Sequence, residues 1–186
     1  MGLCSSNCAQ NPVAVAGGGC RLQTRTAGVD RFVFARCDID FTSITDISEW
    51  TTKAAAGEVV FSGQVLGQKP KGTFTKKKLA SCRPEIVTGV TRQLTFTDSN
   101  ADNDAFTDYD FWNDKQENQD ILIVGYLTCE ELFYGFFTDW SLEVDDTRAE
   151  DSNEEFRWDG TILYNELTAT KPIDLTGISA VIGTGS

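Results

Sequence analysis

No histidine occurs anywhere in the 186 residues. This removes Ser/His/Asp and Cys/His nucleophile arrangements, His-ligated zinc, and a histidine proton shuttle near neutral pH. Long apolar runs are missing too. The longest, Ile121 to Leu127, is far short of the ~20 residues that a bilayer-crossing helix needs, so no membrane span is expected. The first twenty residues have no basic start and only Pro12 to Ala16 as an apolar stretch, which is not the pattern of a secretory leader. No GxGxxG or GxxxxGKS/T element follows a strand-like segment, and no cofactor is expected.

Positive charge is also scarce: 16 Lys and Arg face 28 Asp and Glu, for a net charge of −12. Such a chain is a poor candidate for holding DNA tightly, because its cations are too few to displace counterions from phosphates. The deficit is uneven. Residues 1 to 97 carry 12 basic and 7 acidic side chains, whereas residues 98 to 186 carry 4 basic and 21 acidic ones, so the halves are +5 and −17.

Six cysteines stand at positions 4, 8, 20, 37, 82 and 129. Without a leader the redox argument favours free thiols, and Cys37, Cys82 and Cys129 lie in apolar or strand-like surroundings where a thiol serves as a small buried hydrophobe. The first four cysteines lack the close Cys-x-x-Cys pairs of a zinc cluster. Met1-Gly2-Leu3-Cys4-Ser5-Ser6 fits the N-myristoylation pattern, but no basic patch follows to supply a second membrane signal. The 28 acids would allow a carboxylate dyad of the glycosidase kind, yet no pair stands out.

The chain divides into an N-terminal arm (1–29), small and polar with Gly17-Gly18-Gly19, a β-rich core domain (30–167) and a C-terminal arm (168–186). Within the core domain, Phe32 to Phe41 is rich in strand formers and leads through Asp40, Thr42 and Ser43 into a helix. Ile44, Ile47, Trp50 and Ala54 have helical spacing, and Gly57 supplies the stop. Glu58 to Leu66 and Gly72 to Leu79 read as a β-hairpin joined by Gly67 to Gly72. Val90, Leu94 and Phe96 share one strand face. The polar run Asp98 to Asp104 resembles a calcium loop superficially, but Asn103 and Tyr109 stand where an EF-hand needs Gly and Glu.

Phe106, Tyr109 and Trp112 mark a second helix ending near Asn118, whose aromatic stripe would pack on a sheet. Ile121 to Thr128 is apolar on both faces, as a central strand would be. Leu132 to Phe137, Trp140 to Val144 and Phe156 to Asn165 complete about seven strands, the last with the clearest period-two alternation. The expected fold is mainly β, an antiparallel sandwich or barrel, with two short helices and extended arms at both ends.

A positive and a negative half imply head-to-tail attraction between identical copies, and heterologous contacts of that kind build rings or open stacks. The positive side is concentrated in Lys69, Lys71, Lys76, Lys77 and Lys78. That cluster reads either as a solvated edge guarded against aggregation or as a patch for an acidic surface. Its expected counterparts are Asp102, Asp104 and Asp108 on one segment and Asp145, Asp146, Glu154 and Glu155 on another. The arms fit assembly as segments that add to a neighbouring copy.

The block ITDISEWTTKAAAGEVVFSGQVLGQKPKGTFTKKKLASCRPE (residues 44–85), followed by LTFTDSN (94–100) and DYDFW (108–112), resembles structural proteins of tailed-bacteriophage virions. Its strand-helix-hairpin order is similar to that of their tail tube subunits. The resemblance spans roughly residues 30 to 165 and has no diagnostic motif. It implies a β-barrel or sandwich subunit, hexameric rings stacked into a tube in the virion tail, and contacts with further copies and other tail proteins. DNA would pass through transiently, and assembly would occur in the host cytoplasm. An acidic lumen is implied as well, since DNA presents one negative charge per ~1.7 Å and a basic wall would bind what must be released. No catalytic residues are implied, and an enzyme is not expected. Two other functions fit a β-rich chain: a glycan-binding or adhesion module using Trp50, Trp112, Trp140 and Trp158, and a small glycosidase using two carboxylates.

Overall fold

The computed structural model describes residues 28–78, 85–98, 105–147 and 157–182. Within them lie β1 (Arg31–Arg36), α1 (Ile47–Ala55), β2 (Val59–Phe61), β3 (Leu66–Gln68), β4 (Thr73–Lys77), β5 (Ile86–Asp98), α2 (Ala105–Glu117), β6 (Leu122–Leu127), β7 (Leu132–Phe137), β8 (Trp140–Thr147), β9 (Arg157–Asn165), β10 (Ile173–Asp174) and α3 (Ile178–Ile182). All strand pairs are antiparallel. One sheet has the order β10-β7-β6-β1-β2, and the other runs β3-β5-β9-β8 with β4 also on β5.

The architecture is three-layered, with the first sheet in the middle. Phe32, Phe34, Val124 and Tyr126 on one of its faces join Leu94, Phe96, Leu142, Ile162 and Tyr164 of the second sheet in one core. On its other face, Val33, Ala35, Ile123, Leu127 and Phe133 meet Trp50 of α1 and Ile178 and Val181 of α3 in a second core. Burial on both faces explains why β1 and β6 are almost continuously apolar. The outer face of the second sheet, by contrast, belongs to neither core. Its residues alternate with the buried ones as Gln93, Thr95 and Thr97 on β5, Asp159 and Thr161 on β9, and Glu143 and Asp145 on β8.

Helix α1 begins one turn later than the sequence suggests. Asp46, rather than Asp40, Thr42 or Ser43, is its N-cap and accepts from the Ser48 N–H, while Glu49 reaches back to the N–H groups of Thr42 and Ser43. Gly57 ends the helix as expected, with φ +72°. Trp50 is fully buried and donates its indole N–H to the Ile44 carbonyl at 2.8 Å. Helix α2 is where the aromatic spacing places it. Its Trp112 ring stacks on Phe96 at 4.8 Å and donates to the buried Asp98 carboxylate at 3.0 Å.

Several expectations need correction. The hairpin expected between Glu58 and Leu79 does not form, because β2 pairs with β1 in the first sheet while β3 and β4 both pair with β5 in the second. Tertiary pairing took the two halves of an apparently local motif to different sheets. The C-terminal segment is not an arm free for a neighbour: β10 extends the first sheet beside β7, and Leu175, Ile178 and Val181 are buried in the chain's own second core. Cys37 and Cys129 are exposed free thiols rather than core residues, since each lies just past the end of a strand, in a turn. The N-terminal arm through residue 27 and Cys82 lie outside the described residues.

Candidate assembly interface

β5 is 13 residues long, but β9 accompanies it only from Thr91 to Asp98. The stretch Ile86–Val90 therefore has β4 as its partner, and the two form a ribbon that overhangs the sheet. All five residues of β4 are exposed. The ribbon carries Phe74, Ile86 and Val87 with 45, 42 and 41 % of their surface open, and the cross-strand partners Lys76 opposite Val87 and Lys77 opposite Ile86. Val90 at its base is buried and its carbonyl accepts from the Glu166 N–H, but beyond that point a two-stranded ribbon is marginal by itself, and its exposed apolar side chains beside lysines are suited to burial against an acidic partner.

The sequence-predicted cations divide. Lys71, Lys76, Lys77 and Lys78 are exposed on or beside the ribbon. Lys69 is not with them. Its ammonium turns inward over the rings of Tyr126, Tyr134 and Tyr164 and donates to the Tyr126 hydroxyl at 3.2 Å. Burial there lowers its pKa from the ordinary lysine value, Glu166 opposing that shift and Arg92 adding to it.

The acidic counterpart lies across the same sheet. β8 is its far strand, with Glu143 and Asp145 exposed and Asp146 half-buried. With β5 and β9 between them, the basic ribbon side and the acidic edge are about 14 Å apart across the strands, and because Lys76 pairs with Val87 while Glu143 is level with Thr95, the charges are also offset by about 26 Å or more along them. An open groove of about 1080 Å³ runs along this sheet, with Glu143, Asp145, Asp159 and Asp30 among its acidic lining and Val29, Val65, Leu66, Phe96 and Val144 among its apolar lining. Burial raises the Asp159 carboxyl, but hydrogen bonds from Thr97 and Thr147 and the Arg157 guanidinium outweigh it and hold the group below the usual carboxylate range.

Asp108 falls on α2, whereas Asp102, Asp104, Glu154 and Glu155 lie outside the described residues. Three contributors were not singled out from sequence: Glu143 and Asp159, and the apolar trio of the ribbon. Their signal was the extra length of the Ile86–Asp98 strand relative to its neighbours, which leaves one end without a second partner. Among the described residues no group of three or more Cys, Asp or Glu side chains is arranged to hold a metal ion, and no helix is long and apolar enough to cross a membrane. Trp50, Trp112 and Trp158 are buried, and Trp140 packs against the first core with its N–H on the Leu122 carbonyl. No protein-family model, curated protein or solved structure matches the chain.

Proposed function

We propose that the protein is a structural, self-assembling subunit that builds head-to-tail rings, with a bacteriophage tail tube as its setting. The observation that carries this reading is that one sheet ends in a basic, partly apolar ribbon on one side and in an acidic strand on the other. Unlike ends of one sheet attract their counterparts on the next copy, and such a heterologous contact closes into a ring when its rotation permits.

Strand direction favours the same contact. β4, β5, β9 and β8 alternate in direction, so β8 of one copy beside the β4 part of this edge in the next continues an antiparallel sheet, the β3 part being already bridged at Gly67 by the chain's own Val29. Leu66 on that edge is 77 % exposed, and burial against a neighbour would remove it from water. In a closed ring the outer face of this sheet, with Glu143, Asp145 and Asp159, becomes the acidic inner wall past which DNA slides without binding. Partners are then further copies, ring by ring, together with other tail components in the virion. The role is mechanical, and no residue is assigned a catalytic part.

Electron microscopy and sedimentation of the concentrated protein at low and high salt test this. Rings or tubes that weaken with salt are the expected result. A monomer at every concentration and salt level overturns the proposal.

A further inference from the structure

Lys69 sits at a discontinuity. β3 and β4 run along the same side of β5, Gln68 opposite Thr95 and Thr73 opposite Thr91, so they are two pieces of one edge strand. Four residues, 69–72, span the distance that three, 92–94, span on β5. The edge is thus interrupted by one extra residue at Lys69-Pro70, where Pro70 has no N–H to offer the ladder. Left to itself, such a break is a hinge for everything beyond it, here the ribbon.

What occupies the hinge is an aromatic cage. The Lys69 Nζ lies 5.4, 5.7 and 5.6 Å from the ring centroids of Tyr126, Tyr134 and Tyr164. The first two rings stack face to face at 4.7 Å, and the third is stacked on Phe137 at 3.8 Å. Tyr126 and Tyr134 come from the middle sheet and Tyr164 from the outer one, so the lysine stem bridges the two layers. Tyr164 is only 1 % exposed and its hydroxyl has no hydrogen-bond partner among the described residues. The nearby carboxylate, Glu166, is already engaged by Arg92 at 2.8 Å. The Tyr126 hydroxyl at 3.2 Å is therefore the nearest partner of the ammonium, which lies at the hydroxyl edge of the stacked Tyr126–Tyr134 pair rather than over their faces and within 5.6 Å of the Tyr164 ring centre.

We propose that Tyr126, Tyr134 and Tyr164 form an ammonium-binding site whose resident ligand is the chain's own Lys69, and that this contact pins the break between β3 and β4 and sets the direction of the ribbon. The site's ligand class is a primary alkylammonium: the Tyr126 hydroxyl takes one N–H, and the three tyrosine side chains enclose the charge and its alkyl stem. Lys69 acts within one chain, so the claim stands apart from self-assembly and is testable on dilute monomer.

The experiment removes the ligand and returns it in trans. Lys69→Ala is expected to exchange backbone amides over residues 66–77 roughly tenfold faster than the unaltered protein, with β1 and β6 unchanged. Propylammonium chloride should restore protection saturably, and sodium chloride at equal ionic strength should not. Lys71→Ala, which alters an exposed neighbour, should behave as the unaltered protein, and Lys69→Ala with Tyr134→Leu should lose the rescue. If Lys69→Ala fails to fold, Lys69→Met keeps the apolar stem and should show the same faster exchange. Unchanged exchange in the Lys69 variant that folds, or rescue by sodium as good as by propylammonium, overturns the proposal.

Discussion

Replacing Phe74 by Ser tests the ribbon as a docking element. Phe74 leaves 45 % of its surface open, which is about 90 Å² of a side chain whose full area is about 200 Å². Burying that area against a neighbour at about 25 cal/mol per Å² contributes about 2 kcal/mol, or roughly 30-fold in the dissociation constant of one contact. Ordering costs on association make this an upper figure. The expected outcome is that Phe74→Ser needs roughly ten to thirty times more protein to reach the same assembled fraction in sedimentation equilibrium. The monomer should stay folded but lose about 1 to 3 kcal/mol of stability in urea titration, since the other ~110 Å² of Phe74 is already covered by its own chain, although Phe74 belongs to neither core. Assembly of Phe74→Ser at the same concentration as the unaltered protein, with its monomer intact, would refute the reasoning. It would show that the ribbon's apolar surface stays in water when copies meet.

Further outcomes follow from the same geometry. Lys76→Glu combined with Lys77→Glu should impair assembly and flatten its salt dependence, since raising ionic strength from about 0.01 M to about 1 M shortens the screening length from about 30 to about 3 Å; light scattering across a salt series reads this. Gly160→Ala should destabilise the fold by about 1–3 kcal/mol in urea titration. A Cβ there would stand 2.3 Å from the Phe96 ring, which Trp112 and Phe32 hold at 4.8 Å on its other sides. Acid should loosen the C-terminal segment. Hydrogen bonds from the Ser179 side chain and the Gly177 and Ser179 N–H groups hold the Glu131 carboxyl below its ordinary value. A depressed folded pKa means that its stabilising effect is complete above the unfolded value, near ~4.3, and is lost as pH falls through the folded one. Methyl NMR of Val181 should report release of α3 at acid pH, and Glu131→Gln should remove that carboxylate's part of the pH response.

Much of the framework was legible because its signals are local. Ile121 to Thr128 announced a strand buried on both faces, and β6 is one. Trp50 and Trp112 fall in helices as their spacing implies, and both are fully buried on the inward sides of α1 and α2. Gly57 at a helix end needed only its own backbone freedom. Pairing was not legible in this way. Nothing near Val59 or Leu66 states that these neighbours in sequence will join different sheets, because strand partners are chosen by competition among edges across the whole chain. The cysteines failed for a related reason: hydrophobic surroundings in sequence say little about a residue that sits just past a strand end.

The candidate interface divides along the same line. Composition by itself determined that the chain has a basic and an acidic half, that it lacks histidine chemistry, and that it forms layered antiparallel sheets, all of which follow from residue identity and periodicity. Tertiary structure alone decided which charges matter. It placed Lys76 and Lys77 on an overhanging ribbon and Glu143 and Asp145 at the far side of the same sheet. It also withdrew Lys69 from that surface into a cage of three tyrosines drawn from three separate strands. Charge is a property of a residue, whereas exposure, partner and direction are properties of the packed chain, and only the latter turn a run of lysines into a surface and a latch.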